Sequence, residues 1–169
     1  MIHVYTGDGK GKTTAALGQA LRACGHGWKV IMIQFMKGDI EYGEAKISKK
    51  IPNFELHQFG LPTFVEKGNP GREDLQLAKN GFEFARKIIE GSEYNMVILD
   101  ELNVAIDFGL IGLKEILQML DCVPDDMILI ITGRYAHLKI IEQADLVSEI
   151  REIKHPYQKG ILAKEGIDY

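Results

Sequence analysis

The sequence of 169 residues has little cysteine and no excess of positive charge. Its two cysteines, Cys24 and Cys122, are too few and too far apart for a disulfide framework or a zinc site. Both lie in apolar helical patterns, which predicts small buried residues. With 24 acidic and 20 basic residues the net charge is −4, so we expect no basic face and no nucleic-acid partner.

Long apolar runs are also missing. None is long enough to span a membrane, and the N-terminus lacks the charged and apolar regions of a secretion signal, so we expect a cytoplasmic protein without a membrane partner. The composition is otherwise that of a globular protein, without internal repeats or low-complexity stretches. A chain of this length is sufficient for one domain with a substantial core, which we expect over residues 1–169.

A glycine-rich segment near the N-terminus is the strongest motif: Thr6-Gly7-Asp8-Gly9-Lys10-Gly11-Lys12-Thr13-Thr14. It follows an apolar run at residues 2–5 and precedes a helix predicted over residues 15–23, the order found in phosphate-binding loops. Glycines let backbone N–H groups approach phosphate oxygens, and the helix adds the positive end of its dipole. We expect Lys12 to neutralise phosphate charge and the Thr13 hydroxyl to ligate Mg²⁺.

This loop is one residue shorter than the usual phosphate-binding loop. The usual pattern has a glycine five positions before the glycine of Gly-Lys-Thr, but that position is Thr6 here and the first glycine is Gly7. A shorter loop can still hold a phosphate, although the nucleotide need not lie in the usual direction. The alternative is a glycine turn with a chance Gly-Lys-Thr, which the predicted strand and helix on either side disfavour.

Charged side chains follow two further predicted strands. The apolar run 96–99 ends in Asp100-Glu101, the form of an element whose carboxylates hold a metal ion or its waters opposite a phosphate loop. The run 127–131 leads to Arg134, which can clamp phosphate oxygens or form an ion pair with Asp100 or Glu101. Ligands collect beyond the carboxyl ends of strands in open α/β sheets, so we expect these residues at one site. Lys37 also follows a predicted strand, but its spacing alone favours a solvated loop lysine.

The longest predicted loop covers residues 60–71 and follows a predicted strand at 54–59. Around it lie apolar side chains of a kind that disordered segments lack, namely Phe59, Leu61, Phe64 and Val65. Two interpretations are open. The loop forms the apolar rim of a substrate site, or its side chains pack the loop onto the core.

Predicted strands and helices alternate along the chain. The other strands lie at residues 29–35, 96–101, 127–131 and 146–150, and the other helices at 44–50, 73–89, 102–108, 112–120 and 136–144. This alternation predicts a three-layer α/β domain with a mostly parallel sheet of about six strands, of undetermined order. The tail 154–169 is polar and basic but keeps several apolar side chains, so we expect it to pack down.

These motifs predict a site for a nucleoside triphosphate with Mg²⁺. The guanine-recognition motif Asn-Lys-x-Asp is absent, which favours ATP. Hydrolases, kinases, switches and transferases all use phosphate loops, so the loop alone does not choose among them. An ATP-dependent switch and a phosphate-loop ATPase or kinase are therefore alternatives.

Five segments together resemble the ATP:corrinoid adenosyltransferases of the cobalamin pathway, in the phosphate-loop family that acts on cob(I)yrinic acid a,c-diamide and cob(I)alamin. They are residues 7–16, 34–38, 97–102, 131–134 and the tail, with Lys154-His155-Pro156 and the ending Gly166-Ile167-Asp168-Tyr169. The match covers essentially the whole chain in order. The short phosphate loop and the Gly-Ile-Asp-Tyr ending make it more specific than a generic pair of phosphate-loop motifs.

The resemblance implies a RecA-like phosphate-loop core, an activity and a set of site residues. In the family, the Co(I) of a corrinoid attacks the 5′ carbon of ATP, tripolyphosphate leaves, and ATP lies reversed relative to common phosphate-loop enzymes. Catalysis would depend on Lys10, Lys12 and Arg134. ATP would be bound by Gly7, Asp8, Gly9, Lys10, Gly11, Lys12, Thr13, Thr14, Arg134 and His155. Mg²⁺ (or Mn²⁺) would be held by Thr13, Glu101 and Asp100.

The resemblance also implies a corrinoid site and partners. Phe59, Leu61 and Phe64 would contact the corrinoid, although enterobacterial members have an aromatic pair with a tryptophan in this region. The tail 154–169 would pack near the nucleotide. The family further implies an electron donor such as a flavin protein, and a homodimer.

Overall fold

All six strands of the described residues pair in parallel within one sheet. The structure, a computed structural model, describes residues 1–63 and 65–168. The strands are β1 (Ile2–Thr6), β2 (Val30–Phe35), β3 (Phe54–Phe59), β4 (Met96–Asp100), β5 (Ile128–Thr132) and β6 (Leu146–Glu149). The helices are α1 (Lys12–Gly25), α2 (Gly43–Ser48), α3 (Arg72–Gly91), α4 (Leu102–Asp107), α5 (Leu113–Leu120) and α6 (Leu138–Gln143), and a 3₁₀ turn spans Pro156–Lys159.

The strand order is β3-β2-β4-β5-β1-β6. Strand β5 therefore lies between β1, which leads into the phosphate loop, and β4, which ends at Asp100. Because every strand runs the same way, all six carboxyl ends meet at one edge of the sheet. The predicted three-layer α/β fold with a parallel sheet of six strands is confirmed.

Helices cover both faces of the sheet. On one face α1 packs through Ala16, Ala20 and Ala23 against β2, β4 and β5, and these small side chains let the helix approach closely. On the other face α3, α4, α5 and α6 cover the larger of two apolar clusters. The central strands β2 and β4 are buried along their whole length, which explains their continuous apolar sequences. None of the described helices is long and apolar enough to cross a bilayer.

Two expectations about the periphery are wrong, and the apolar side chains of the tail are exposed. Cys122 is exposed rather than buried, because α5 ends at Leu120 and the cysteine follows in a turn. Helix α6 begins two residues later than predicted, at Leu138, because the His137 imidazole accepts a hydrogen bond from the Lys139 N–H and caps it. The tail does not bury its apolar side chains, since Leu162 is 80% exposed. Its apolar residues alternate irregularly with lysines, glycines and acids, so no regular element aligns them on one face.

Helix α3 approaches the sheet closely at Gly81, in the middle of its buried face. A Cβ at this position would lie 2.9 Å from the Phe59 Cβ and 2.9 Å from the Phe35 ring. Phe35 is fully buried and the Phe59 Cβ is fixed to the backbone of β3, so neither can move away cheaply. The glycine is therefore needed for the packing of α3 on β2 and β3.

We expect Gly81→Ala to destabilise the protein although alanine is the better helix former. Overpacking costs typically about 1–3 kcal/mol and the gain in helix propensity is about 1 kcal/mol, so the net loss should be about 1 kcal/mol. The matched control is Gly18→Ala in the middle of α1, where a Cβ would meet no atom within 4 Å. That variant should gain stability. Urea unfolding of both variants measures the difference, and an equal gain in both would contradict the close packing.

Candidate nucleotide-binding site

Two glycines of the phosphate loop, Gly7 and Gly9, are required by the packing of the segment that follows β6. Gly7 has a φ of 99°, and a Cβ there would lie 2.4 Å from the Ile150 carbonyl oxygen. A Cβ on Gly9 would lie 2.7 Å from the backbone of Arg151, and the Gly9 N–H donates to the Ile150 carbonyl at 2.7 Å. The loop is thus held against the segment after β6. This contact leaves no space for side chains on its inner turn.

Lys12 is folded into the loop. Its ammonium donates to the carbonyl oxygens of Gly7 at 2.7 Å and Gly9 at 2.6 Å, and the side chain is buried. Burial lowers the pKa of Lys12, while the nearby Glu101 carboxylate opposes this effect. A lysine that donates to two neutral carbonyls can exchange them for phosphate oxygens, which accept more strongly because they are charged.

Asp100 is the centre of a buried hydrogen-bond network. Its carboxylate is fully buried, and Oδ1 accepts from the Thr13 hydroxyl at 2.8 Å and the Thr132 hydroxyl at 2.6 Å. Oδ2 accepts from the Gln34 amide at 3.1 Å and the Lys37 ammonium at 2.8 Å. Burial alone would raise the pKa of Asp100, but Lys37 and the hydroxyl donors hold that pKa below its usual value. Asp100 is therefore ionised, and its lone pairs are already used.

Glu101 differs from its neighbour. Its backbone has a left-handed conformation, with φ 60° and ψ 16°, and its N–H donates to the Thr132 hydroxyl at 3.0 Å. Burial and the adjacent Asp100 carboxylate raise the pKa of Glu101, against the opposing charges of Lys37, Lys12 and Arg134. Three cations thus converge on this carboxyl. No backbone N–H or side-chain donor of the described residues is bonded to it, so it is available to a ligand.

The arrangement fits a hard divalent cation. The Thr13 hydroxyl and the Glu101 carboxylate both line the same cavity, and they are the oxygen ligands that Mg²⁺ prefers. The described residues contain no group of three or more histidine, cysteine, aspartate or glutamate side chains that could hold a metal. Mg²⁺ commonly uses only one or two protein oxygens and takes its other ligands from phosphate and water.

A cavity of about 1090 Å³ extends from the phosphate loop. Its polar wall contains Asp8, Gly9, Lys10, Gly11, Lys12, Thr13, Thr14, Lys37, Glu101, Arg134 and His155. Its apolar wall comes from α1, α2 and the residues near them, namely Leu17, Leu21, Cys24, Ile47, Ile51 and Phe54. The polar wall also includes Glu44, Glu152 and Asp168, so the cavity combines charged groups of both signs with an apolar surface.

Arg134 lies at the mouth of this cavity, two residues after β5. The preceding Gly133 has a φ of 126°, and a Cβ there would lie 3.0 Å from the Cβ of the buried Asn103. Within residues 1–63 and 65–168, no carboxylate lies within 4.0 Å of the Arg134 guanidinium, so the ion pair with Asp100 or Glu101 that the sequence allowed is not formed. The guanidinium is exposed and faces the site as a free cation within that part of the chain.

The tail reaches the phosphate loop through Lys10. The Lys10 ammonium donates to the Ile167 carbonyl at 2.8 Å and forms an ion pair with Asp168. His155 lines the same cavity, and its Nδ1 accepts from the Tyr157 N–H at 3.2 Å, which caps the 3₁₀ turn. The tail therefore forms one wall of the cavity.

The proposed corrinoid residues lie elsewhere. Phe59 and Leu61 are half-buried and do not line the 1090 Å³ cavity. Phe59 and Val65 pack against the apolar core, as the second interpretation of the 60–71 loop expects. Phe64 falls outside the described residues. A corrinoid role for these three residues stays a prediction.

Gln34 and Lys37, at the carboxyl end of β2 where the sequence predicts ligand-binding positions, are both bonded to Asp100. Lys37, expected as a solvated lysine, is only 19% exposed and pairs with Asp100. Gln34 is fully buried and also accepts from the Gln58 amide at 3.0 Å, which links β3 to the same carboxylate. A glutamine inside a continuous apolar strand was a usable signal, because a buried amide requires hydrogen-bond partners. The Lys37 pairing gave no such signal, because it joins residues 63 positions apart.

Comparisons with known proteins match the whole length of this chain to one family. The model of the family described as ATP:corrinoid adenosyltransferase BtuR/CobO/CobP matches residues 1–169. The corrinoid adenosyltransferase of Escherichia coli (strain K12) is 39% identical over 169 residues, which covers 100% of this chain and 85% of the relative. The corresponding protein of Salmonella typhimurium (strain LT2) is 36% identical with the same coverage. The one from Pseudomonas aeruginosa is 32% identical, covering 100% of this chain and 83% of the relative.

Glu101 should reduce the stability of the ligand-free protein at neutral pH. Its folded-state pKa is raised, so ionised Glu101 destabilises the fold above that pKa, and the effect disappears as the pH falls through it. We expect Glu101→Gln to raise the melting temperature at pH 7. The gain should vanish below about pH 4, where glutamate is protonated in both the folded and unfolded states.

Circular dichroism melts at both pH values measure this effect. The control is Glu142→Gln on the exposed face of α6, for which we expect no change at either pH. A lower melting temperature for Glu101→Gln at pH 7 would show instead that the three nearby cations outweigh burial.

Proposed function

The chain belongs to the ATP:corrinoid adenosyltransferase family, and we propose that it transfers the 5′-deoxyadenosyl group of ATP to the Co(I) of a corrinoid, releasing tripolyphosphate. The observation that carries this proposal is the family match over all 169 residues. The cavity supports it, because one site combines a phosphate loop, a free carboxylate and a free arginine. The activity belongs to adenosylcobalamin biosynthesis or salvage.

The reaction is a nucleophilic displacement at carbon. The lone pair of Co(I) forms a bond to C5′ of the ribose, and the bond from C5′ to the α-phosphate oxygen breaks. Its electron pair leaves with tripolyphosphate, and the cobalt becomes formally Co(III). The substrate supplies the nucleophile, so the protein needs no nucleophile or general base of its own. Its tasks are to position the two substrates, exclude water and stabilise the leaving group.

Leaving-group stabilisation falls to the phosphate loop and its cations. The amides of residues 7–12 and the ammonium groups of Lys10 and Lys12 would neutralise charge that accumulates on the triphosphate, with Arg134 clamping it from the other side. Lys12 would exchange the Gly7 and Gly9 carbonyls for phosphate oxygens. Lys10 would exchange its contacts with Ile167 and Asp168 in the same way.

The metal site would use Thr13 and Glu101 as ligands. Asp100 would act behind them, because its four donors leave no lone pair directed at the cavity. Mg²⁺ (or Mn²⁺), when bound, supplies positive charge to the phosphate oxygens. The Thr13 hydroxyl donates its proton to Asp100, so its oxygen lone pairs remain for a cation.

The short phosphate loop suits this reaction. A hydrolase presents the γ-phosphate to water, whereas this enzyme must hold the whole triphosphate and expose the ribose. We propose that ATP lies reversed in the loop for this reason, and that the tail 154–169, with His155, covers the nucleotide. The chain 1–169 would act as one domain.

The corrinoid would lie over the apolar segment of residues 59–65. Apolar side chains there, including Phe59, Leu61 and Phe64, would displace the lower axial ligand of the cobalt. Four-coordinate Co(II) is then easier to reduce to Co(I). We further propose a cytoplasmic homodimer that receives its electron from a donor such as a flavin protein.

The reaction products decide between this activity and other uses of a phosphate loop. Incubation with ATP, Mg²⁺ and chemically reduced cob(I)alamin should give tripolyphosphate and a light-sensitive corrinoid with a cobalt–carbon bond. Lys12→Ala should abolish ATP binding, because the loop loses its central charge. Lys114→Ala, on the exposed face of α5, is the control and should be fully active. ADP as the product, or no turnover of the wild type, would contradict the proposal.

The apolar loop residues should act on the reduction step. We expect Leu61→Ala and Phe64→Ala to bind ATP normally and to slow the reaction from cob(II)alamin with a reductant by about tenfold, or about 1.4 kcal/mol in activation free energy. With cob(I)alamin reduced beforehand, the loss should be smaller. Leu75→Ala, a partly exposed leucine of α3, is the control. Unchanged rates from both cobalt oxidation states would remove these residues from the corrinoid site.

A further inference from the structure

We propose that Lys37 is a positioning residue that holds the 60–71 loop in register with the nucleotide site, a role that rests on the proposed function. Its side chain is bonded to the carboxylate behind the phosphate loop, while its backbone is pressed against the first residue of the 60–71 loop. A single residue therefore contacts both places where the two substrates would bind.

The side-chain contact leads to the nucleotide. Lys37 Nζ lies 2.8 Å from Asp100 Oδ2 and 3.8 Å from the Glu44 carboxylate. The other Asp100 oxygen accepts from the Thr13 hydroxyl at the start of α1. Since Asp100 is fully buried, its position is fixed by these donors, and a displacement of Lys37 moves the carboxylate that orients Thr13.

The backbone contact leads to the loop. A Cβ on Gly60 would lie 2.3 Å from the Lys37 backbone nitrogen, and a Cβ on Gly38 would lie 2.1 Å from the Gly60 carbonyl oxygen. Neither glycine has a positive φ, so the requirement is for space and not for backbone freedom. Next to them, the Met36 N–H donates to the Phe59 carbonyl at 3.1 Å, and Met36 itself has a left-handed φ of 58°. The segments 36–38 and 59–60 are thus in direct backbone contact where the loop begins.

A second connection joins strand β3, which precedes the loop, to the Asp100 carboxylate. The Gln58 side-chain amide donates to the Gln34 side-chain oxygen Oε1 at 3.0 Å, and the Gln34 side-chain N–H donates to Asp100 at 3.1 Å. Gln58 lies two residues before Gly60. The start of the loop is therefore tied to Asp100 through two routes, one along side chains and one through the Lys37 backbone.

This double connection matters because the displacement reaction requires two large substrates to be held at a fixed distance from each other. Reacting atoms must approach to about 3–3.5 Å, and a misplacement of about 1 Å can lower the rate about a hundredfold. A residue that sets the distance between the sites should affect the transfer rate and leave the affinity for ATP alone. A merely structural residue would lower the melting temperature and ATP affinity together.

Two variants separate these outcomes. Gly60→Ala keeps every charge and forces the backbones apart, and Lys37→Met removes the ion pair. For Gly60→Ala, at a position that does not line the cavity, we expect the dissociation constant for ATP, measured by calorimetry, to stay within about threefold of wild type. The kcat of both variants with pre-reduced cob(I)alamin should fall at least tenfold. Lys37→Arg, which keeps the cation, should restore part of the rate.

Matched controls use the same substitutions elsewhere. A Cβ on Gly91, at the end of α3, would meet no atom within 4 Å, and Lys46 is an exposed lysine paired with Glu41 at 3.0 Å. Gly91→Ala and Lys46→Met should keep the wild-type kcat. If Lys37→Met does not fold because Asp100 is left unpaired, the kcat of Gly60→Ala tests the positioning role by itself.

The wild-type assay separates the two proposals. An active wild type with an unchanged kcat in folded Gly60→Ala overturns the role of Lys37 alone, as does a parallel loss of ATP affinity and kcat. A wild type that forms no cobalt–carbon bond overturns the proposed function and this inference with it.

Discussion

The rest of the site depends on the hydrogen bonds that surround the ionised Asp100 carboxylate. A buried charge is tolerated only when hydrogen bonds and an opposite charge replace its lost hydration, and here Lys37, Gln34, Thr13 and Thr132 do so. These donors come from the loop after β2, from β2, from α1 and from β5. The loss of any one removes a hydrogen bond from a fully buried charge. The carboxyl edge of the sheet is therefore specified by one group.

The strand order makes this convergence possible. Strand β4 is flanked by β2 and β5, so donors reach Asp100 from both neighbours, and Gln34 stands directly opposite it in the parallel register. Because β5 separates β4 from β1, Thr132 lies between the carboxylate and the strand that carries the phosphate loop. Its hydroxyl donates to Asp100 and accepts from the Glu101 N–H. One threonine thus contacts the Asp100 carboxylate and the Glu101 backbone.

Local patterns predicted the fold well, whereas the connections within the site required long-range information. The strand at Phe54–Phe59 and the phosphate loop followed from alternation and glycine spacing, which are properties of adjacent residues. The pairing of Lys37 with Asp100 depends on which strands are neighbours, and the sequence did not give the strand order. The Lys10 contact with Asp168 joins residues 158 positions apart, so no local pattern could reveal it.

The adjacent carboxylates Asp100 and Glu101 have different roles. Asp100 is bonded within the fold, whereas Glu101 is available to bind a cation. Asp100 lies on the strand, where neighbouring donors surround it and lower its pKa. Glu101 follows a turn into left-handed backbone, which directs its side chain to the cavity, away from those donors, and burial raises its pKa. An ionisable group that has little stabilisation in the ligand-free fold retains its capacity to bind a cation. The same backbone turn that ends β4 therefore creates a structural carboxylate and a ligand-binding one in consecutive residues.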